Sequence, residues 1–245
     1  MNALVYARYE LLRTFRSRRF FIFALGFPLG LYYLIAAPNH DVKNLGSSGI
    51  SAPLYFMIGL AAFGSMSAML STGARIAGER QVGWNRQLRL TPLSTRTYFR
   101  VKVLIAYATA TLSIVTMYVA GATLGVRLDA GNWVEMTLFM LIGLVPFAGI
   151  GIFIGHQLTV DSIGPAMGGI TALFGFLGGV WFPITGGGTL QNIAELLPSY
   201  WLVQAAHIGL GGDGWGAKGW IVIIAWTAAA AALARWAYRR DTKRV

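Results

Sequence analysis

The nearest approach to a nucleotide-binding loop in this sequence lies near its carboxyl end, in the segment GGDGWGAK from Gly211 to Lys218. A phosphate-binding loop of the form G-x-x-x-x-G-K-[ST] cradles phosphates with backbone N–H groups and places its lysine on the β- and γ-phosphates. Here Ala217 stands where that lysine belongs. The segment is therefore interpreted as a flexible loop, and the chain is expected not to hydrolyse ATP itself.

Histidine, cysteine and serine do not form a catalytic or metal-binding pattern either. A metal site needs clustered His, Cys or carboxylate side chains, but the sequence has no cysteine, and its three histidines, His40, His156 and His207, are isolated. No G-x-S-x-G motif or Ser/His/Asp order indicates a hydrolase. We therefore expect no catalytic residue, no metal site and no cofactor in this chain. The histidines are interpreted as structural or solvated.

The composition indicates a membrane protein. Of the 245 residues, 56% are hydrophobic and 12% are charged, whereas soluble domains carry about 25% charged residues. Apolar runs near the length of a membrane span alternate with polar connectors. The net charge of +11 would suggest nucleic acid in a soluble protein. Here the basic residues sit at the ends of apolar runs, where topology and lipid headgroups explain them better.

The apolar runs predict a single transmembrane domain over 1–245. Its predicted segments are an interfacial helix (1–19), spans one and two (20–74), a basic cytoplasmic loop (75–102), spans three to five (103–182), an outer connector with short re-entrant helices (183–218), span six (219–238) and a basic tail (239–245). The predicted fold class is all-α, a polytopic membrane protein with six transmembrane helices.

The first segment has the pattern of a helix lying in the headgroup plane. At 100° per residue, Leu4, Ala7, Leu11 and Phe15 fall on one side, and a polar set that includes Glu10 falls opposite. This arrangement is typical of interfacial helices. The sequence therefore predicts that the apolar side meets lipid and that Glu10 lies on the polar face.

Basic residues orient these segments. The loop over 75–102 holds seven of the 20 Lys and Arg residues and one acid, Glu79. Loops rich in Lys and Arg remain cytoplasmic. With both termini inside, 17 of the 20 basic residues lie on the cytoplasmic side, and only Lys43, Arg127 and Lys218 lie outside. The sequence therefore predicts a multi-pass protein of the cell membrane with both termini cytoplasmic.

The predicted spans carry few ionisable side chains. Spans one, two, three and five contain no Asp, Glu, Lys, Arg or His, whereas proton- or sodium-coupled transporters usually keep ion ligands near the bilayer midplane. This favours an external source of energy. Glu195, in the outer connector, is a candidate functional acid. It lies either at depth, facing a pathway, or in outer water, and the sequence leaves both open.

Within the basic loop, residues 77–90 lack proline and could form a helix. Trp84 and Leu88 are four apart, so they share one face of it. Pro92 is expected to stop this helix, and Ser94 is a good N-cap for a second helix that leads into span three. Composition alone favours an ordinary basic loop touching anionic lipid, while the order of the residues favours a docking element.

The order of residues in two stretches resembles the membrane subunit of type-2 ABC exporters. After its second span, that family has a glutamate with a basic neighbour, a glycine, a leucine, a Thr-Pro pair and a lysine entering the third span. The matching residues are Glu79, Arg80, Gly83, Leu88, Thr91, Pro92 and Lys102. A Gly-Gly pair, an aromatic-Pro step and a later proline follow the family's fifth span. The matching residues are Gly178, Gly179, Phe182, Pro183 and Pro198. Many members have a second carboxylate just before the leucine, where this chain has Asn85, Arg86 and Gln87.

This resemblance, which covers nearly the whole chain, implies the permease subunit of an ATP-driven exporter. Two permease subunits, identical or different, would form the transmembrane pathway, and two cytoplasmic ATPase subunits that bind ATP and Mg²⁺ would power it. The loop would seat in the ATPase as a coupling helix. The coupling residues implied are Glu79, Arg80, Gly83, Trp84, Leu88, Thr91 and Pro92.

The resemblance further implies an amphipathic cargo such as a drug, an antibiotic or a lipid, as in multidrug and antibiotic resistance. Candidate lining residues of the pathway are Phe56, Phe63, Met66 and Met69 of span two, together with Glu195. The alternative for the span-two residues is core or lipid contact. The residues identify neither the cargo, nor the direction of transport, nor the permease partner.

Two other classes of function compete with a transporter. An integral membrane enzyme acting on lipids would need convergent polar residues at one membrane face, and the sequence shows none. A non-catalytic membrane anchor or immunity-type protein is compatible with the composition. An ATPase reading frame beside the gene would favour the transporter over both.

Overall fold

The computed structural model describes residues 3–17, 21–84, 87, 90–91, 93–185, 187–208 and 214–243. These residues form helices and irregular connections without a β-strand, so the all-α prediction is confirmed for this part of the chain. Its α-helices, in chain order, are α1 (Ala3–Phe15), α2 (Phe27–Ala36), α3 (Ala52–Gln81), α4 (Thr95–Thr123), α5 (Ala130–Gly143), α6 (Val145–Gln157), α7 (Val160–Leu177), α8 (Thr189–Ala194), α9 (Pro198–Ile208) and α10 (Ala217–Lys243).

Among the described residues, five segments are long and apolar enough to cross a membrane. They are Ala52–Gln81, Thr95–Thr123, Ala130–Gln157, Val160–Leu177 and Ala217–Asp241. The third segment contains both α5 and α6, because Pro146 cannot donate a hydrogen bond to the preceding turn. Ala24–Ala36 is apolar but shorter. Length and composition thus support five of the six predicted spans, and a shorter helix stands where span one was predicted.

Helix α3 is the centre of the bundle. In its apolar stretch, 83% of the residues are buried inside the protein, and the helix packs against α2, α4, α6, α7 and α9. Side chains such as Ile58 and Leu60 are completely buried among these neighbours. A displacement of α3 would therefore change its contacts with most of the other helices.

Helices α3 and α6 cross where both have glycines. A Cβ atom on Gly73 would lie 2.4 Å from the backbone oxygen of Gly151, and one on Gly155 would lie 2.6 Å from the oxygen of Gly73. A side chain does not fit at these distances, so the two backbones touch only because all three residues are glycine. Close packing of this kind is how helices associate in lipid.

The substitution Gly73→Ala is expected to push α3 and α6 apart and to lower the free energy of unfolding by about 1–3 kcal/mol, the usual range for overpacking. Gly78→Ala is the matched control, because a Cβ atom on Gly78, in the same helix, meets nothing within 4 Å. Alanine is favoured over glycine in a helix by about 1 kcal/mol, so the control should be neutral or stabilising. Thermal unfolding in lipid nanodiscs compares the two variants, and equal melting temperatures would contradict the close crossing.

A proline shapes the first apolar helix. Residues Ile22–Gly26 form a π-helix that continues directly into α2. Pro28 has no N–H, so the carbonyl oxygen of Ala24 lacks its usual donor four residues later. The hydroxyl of Ser113, in α4, donates to this oxygen at 3.2 Å. Backbone groups in a bilayer need such partners, and this contact links α4 to the first apolar helix.

The two ends of the bundle carry different structures. At one end, α3 finishes at Gln81 and α4 begins at Thr95, and we call this the loop end. At the other end, α9 packs against the first turns of α3, next to the segment that follows α7. We call this the connector end. It contains the two short helices α8 and α9 of the predicted outer connector.

Candidate functional site

Helix α3 ends at the loop end in a glycine turn. The N–H of Gly83 bonds to the carbonyl of Arg80 at 3.1 Å, and Gly83 has a φ of 68°, a left-handed conformation that favours glycine. The structure thus differs from the helix predicted over 77–90. Residues up to Gln81 belong to α3, because the glycine turn stops that helix.

Glu79, in the last turn of α3, lies in a buried group of charged side chains. Its carboxylate bonds to Lys102 and accepts hydrogen bonds from Arg13 at 3.1 Å and from Tyr98 at 2.6 Å. Lys102 also donates to Glu10. Glu79 and Lys102 are each 1% exposed. We call Glu10, Arg13, Glu79, Tyr98 and Lys102 the ionic cluster.

Two carboxylates share one buried ammonium group in the ionic cluster. Buried charges are tolerated when they are paired and hydrogen-bonded, and the surrounding groups supply both. The rings of Tyr6 and Tyr98 stack beside it with centroids 6.1 Å apart. Burial raises the pKa of the Tyr6 phenol well above its usual range, and the charges of Glu79 and Glu10 raise it further. The cluster is therefore a desolvated, charged joint between α1, α3 and α4.

The position of Glu10 departs from the picture of a helix whose polar face meets the headgroups. Glu10 is 5% exposed and faces the bundle, whereas Leu4 and Phe15, on the predicted apolar face, are 82% and 43% exposed. On the polar side, Glu10 packs on protein, where Lys102 offers it a partner, while Arg16 stays exposed. The apolar face of α1 is turned outward, where lipid can cover it.

Arg80, the next residue, makes a second set of contacts. Its Nε and Nη2 atoms bond to the two carboxylate oxygens of Asp241 at 2.8 and 2.9 Å, and its Nη1 donates to the carbonyl of Gly155 at 3.0 Å. The Nδ1 atom of His156 lies 3.1 Å from the same carboxylate. Bidentate Arg–carboxylate pairs are stronger and more directional than single contacts. We call Arg80, His156 and Asp241 the carboxyl-terminal clamp.

Glu79 and Arg80 therefore attach one helical turn to two sides of the bundle. Adjacent residues on an α-helix point about 100° apart. The ionic cluster joins α3 to α1 and α4, and the carboxyl-terminal clamp joins α3 to α6 and α10. A force on the turn that follows would act on four other helices through these contacts.

The loop beyond this turn presents apolar side chains to solvent. Val82 is 72% exposed and Leu90 is 89% exposed. Leu88 and Pro92, which the sequence named for the docking face, lie outside the described residues, so their predicted role stays a prediction. Thr91 is described, and its hydroxyl accepts the N–H of Leu93 at 3.4 Å.

Trp84 is placed differently from the exposed docking position that its spacing predicted. Its side chain is half-buried and packs against the apolar group formed by Tyr6, Tyr98, Val101 and Ile105. Trp84 follows directly after the left-handed Gly83, and its indole packs on the aromatic surface that includes Tyr6 and Tyr98. Trp84 therefore holds the loop on the bundle.

The four span-two residues suggested as pathway lining lie in or near the core. Met66 and Met69 are completely buried and Phe56 is 7% exposed, while Phe63 is half-buried, with its ring 5.5 Å from that of Trp181. Side chains enclosed within one subunit do not face a pathway between subunits. The lining role is thus not supported for Met66 and Met69, and the alternative of a core position fits them.

Glu195 lies at the connector end, directly after α8. Its carboxylate accepts a hydrogen bond from Gln191 at 3.0 Å and bonds to the ammonium group of Lys218. The bond from Lys218 and then that from Gln191 lower the pKa of the Glu195 carboxyl. Glu195 thus joins α8 to the start of α10, and its charge is already paired.

Acidification is expected to release this contact. Because the folded protein holds the pKa of Glu195 below its usual value of about 4.3, the contact stabilises the fold at neutral pH and is lost as the pH falls through the lowered pKa. Wild-type protein and Glu195→Gln should therefore differ in melting temperature at neutral pH and converge in acid. Asp129→Asn, at an exposed acid, is the control and should show no such convergence. A difference of equal size at both pH values would contradict the assignment.

Sequence reasoning did not single out Glu10 or Asp241 as members of the site. Each is a lone acid in a basic terminal segment, between Arg8 and Arg13 in the first case and in the tail RRDTKRV in the second. An isolated acid at a membrane edge that is otherwise basic was the available signal, since it predicts a specific basic partner. It does not say which one.

Membrane-length apolar helices around one central helix, with charged contacts at the bundle ends, define a multi-pass α-helical membrane protein. Comparison with known proteins gives the family. Residues 34–236 match the family model described as "ABC-2 family transporter protein". The chain belongs to this family and is an ABC-2 type permease subunit. It is 27% identical over 206 residues to "Putative transport permease YvfS" of Bacillus subtilis (strain 168). The matched region covers 82% of this chain and 80% of that protein. The resemblance drawn from the sequence is thereby confirmed.

Proposed function

We propose that this permease subunit works in an ATP-driven exporter that moves an amphipathic compound across the cell membrane. A separate ATPase subunit, in two copies, binds ATP and Mg²⁺ and supplies the energy. The loop end faces the cytoplasm, where both termini lie, because 17 of the 20 basic residues are then inside. This orientation places the loop within reach of a cytoplasmic ATPase.

The observation that carries the proposal is the double attachment of the last turn of α3. Glu79 ties that turn to α1 and α4, and Arg80 ties it to α6 and α10. The exposed loop with Val82 and Leu90 follows directly. Movement of an ATPase bound to this loop would therefore reach the centre of the bundle and the helices around it. The contribution of this chain is mechanical, and hydrolysis belongs to the partner.

Helix α7 supports a second permease subunit and an apolar pathway. Only 22% of the residues in its apolar stretch are buried within the chain, and Leu173 and Phe176 are 57% and 54% exposed. A second permease subunit, identical or different, would cover part of this face. The rest of this exposed face of α7 would offer an amphipathic cargo an apolar surface of low specificity.

Reconstitution tests the proposed function. The chain purified alone should not hydrolyse ATP. Together with the ATPase subunit that copurifies with it, the chain in proteoliposomes should move a fluorescent amphipathic dye when ATP is added, and the dye should raise the rate of hydrolysis. Hydrolysis by a preparation free of any ATPase subunit would contradict the division of roles. Dye movement at the same rate with and without ATP would contradict an ATP-driven exporter.

A further inference from the structure

A cavity of about 280 Å³ lies at the connector end, within a single subunit. Its walls come from four parts of the chain: the connector before α3, Tyr55 at the start of α3, the segment from Gly178 to Thr185, and the helices α8 and α9. This volume is close to the lower end of the range for small-molecule sites, about 300–1,000 Å³. The cavity is separate from the ionic cluster and the carboxyl-terminal clamp, which lie at the loop end.

Hydrogen bonds hold the walls of this cavity in place. The hydroxyl of Tyr55 donates to the carbonyl of Gly179, and that of Thr185 donates to the carbonyl of Gly46 at 3.0 Å. Gly179 has a φ of 77°, which favours glycine. A wall that is already fixed reduces the ordering cost of binding a ligand. The cavity is therefore a preformed space and not a gap between loose segments.

One face of α9 presents three hydrogen-bonding side chains to this space. Tyr200, Gln204 and His207 are four and three residues apart, so they share a face, and all three line the cavity. Within the described part of the chain, His207 Nδ1 is a buried atom without a hydrogen-bond partner. Buried polar groups are normally paired, so a molecule in the cavity could supply the partner of His207, with the half-buried Gln204 amide and the Tyr200 hydroxyl on the same wall.

The side chains that line the cavity favour uncharged ligands over charged ones. No Asp, Glu, Lys or Arg is among the described lining residues, and Glu195, which bonds to Gln191 of the wall, is already paired with Lys218. A charged ligand would lose its hydration without gaining a counter-charge. Ile50 and Val203 add apolar surface. The chemistry therefore suits an uncharged molecule that has both hydrogen-bonding groups and an apolar part.

We propose that this cavity binds a small uncharged polyhydroxyl compound with an apolar substituent, about the size of one substituted sugar ring. The hydroxyls of the ligand exchange hydrogen bonds with Gln204, His207 and the Tyr200 hydroxyl, and the apolar substituent contacts the Tyr200 ring and the aliphatic wall. The site goes beyond the proposed function, because it belongs to one subunit and needs neither ATP nor a partner chain.

Phenyl β-D-glucoside is the probe, with the full chain in lipid nanodiscs and binding followed by isothermal titration calorimetry. We expect saturable binding to the wild type, at least tenfold weaker binding to Gln204→Leu, and unchanged binding to Gln157→Leu, whose exposed glutamine lies at the loop end. Phenyl β-D-glucuronide, which differs by a carboxylate, should bind at least tenfold more weakly than the glucoside. The absence of saturable binding to the wild type, or equal affinity of the two variants, would overturn the proposal.

A cysteine variant gives a second measurement that does not depend on the leucine variant folding. The sequence has no cysteine, so in Gln204→Cys a maleimide reacts only at the cavity wall. Saturating phenyl β-D-glucoside should slow this labelling at least fivefold, while Gln157→Cys should label at the same rate with and without the glucoside. A cavity that holds only water gives no protection, and that result would also overturn the proposal.

Discussion

Replacing Lys102 with methionine is expected to lower the free energy of unfolding by about 3–5 kcal/mol, the loss typical of removing one partner from a buried ion pair. Methionine keeps much of the length of lysine and removes the charge. Glu10 and Glu79 would then remain buried side by side without their shared ammonium group. The cations that remain near them are Arg75 and Arg13, and the Arg13 side chain is 59% exposed. The loss of the ammonium group favours protonation of a carboxyl group or opening of the joint between α1, α3 and α4.

Chemical unfolding of the purified chain in nanodiscs measures this loss. Lys43→Met is the control, because Lys43 is exposed in the connector before α3 and should change stability little. The triple variant Glu10→Gln/Glu79→Gln/Lys102→Met should recover part of the loss, since it leaves no buried carboxylate without the ammonium group, and Arg13, which loses its partner Glu79, has a side chain that is 59% exposed. Wild-type stability of Lys102→Met alone would show that the buried pairs contribute nothing.

The parts of this fold that could be predicted from the sequence depend on one-dimensional properties. The length of an apolar run predicts a span, which is why α3, α4, α7 and α10 match segments marked out by composition. The seven basic residues between the apolar runs of spans two and three mark the loop end. Gly83, in the matched family motif, ends α3 in a left-handed turn, a backbone conformation that is unfavourable for residues with a Cβ atom.

Partners far apart in the chain could not be predicted. Asp241 lies 161 residues from Arg80, and Glu10 lies 92 residues from Lys102, so no local pattern pairs them. Periodicity shows that α1 has an apolar and a polar side, but not that Glu10 of the polar side turns toward the bundle. The same limit applies to Met66 and Met69, whose spacing suits a pathway and a core equally well until the neighbours of α3 are known.

Leu90→Asp is expected to release the ATPase subunit from the proposed complex. Leu90 is 89% exposed in the loop that follows the doubly attached turn of α3, so a partner seated on this loop would bury it. An apolar side chain at the centre of an interface contributes about 2 kcal/mol or more when it is a hot spot, and an unpaired aspartate in its place adds a desolvation cost. Since 1.4 kcal/mol is a factor of ten in affinity, binding should weaken by roughly 30-fold or more.

Copurification of the ATPase subunit, followed by its hydrolysis rate with and without cargo, measures this effect. Gln87→Asp is the matched control, because it adds the same charge to the same loop at an exposed polar position and should keep the subunit bound. Leu88→Asp, chosen from the sequence motif, should behave like Leu90→Asp if both leucines enter the partner. All three positions lie in the sequence between Gln81 and Thr95, outside the apolar stretches of α3 and α4, so all variants should insert normally. If Leu90→Asp and Leu88→Asp both retain the ATPase and cargo-stimulated hydrolysis, the loop is not the element through which the partner acts. The two attachments of α3 would then hold the bundle together without transmitting force.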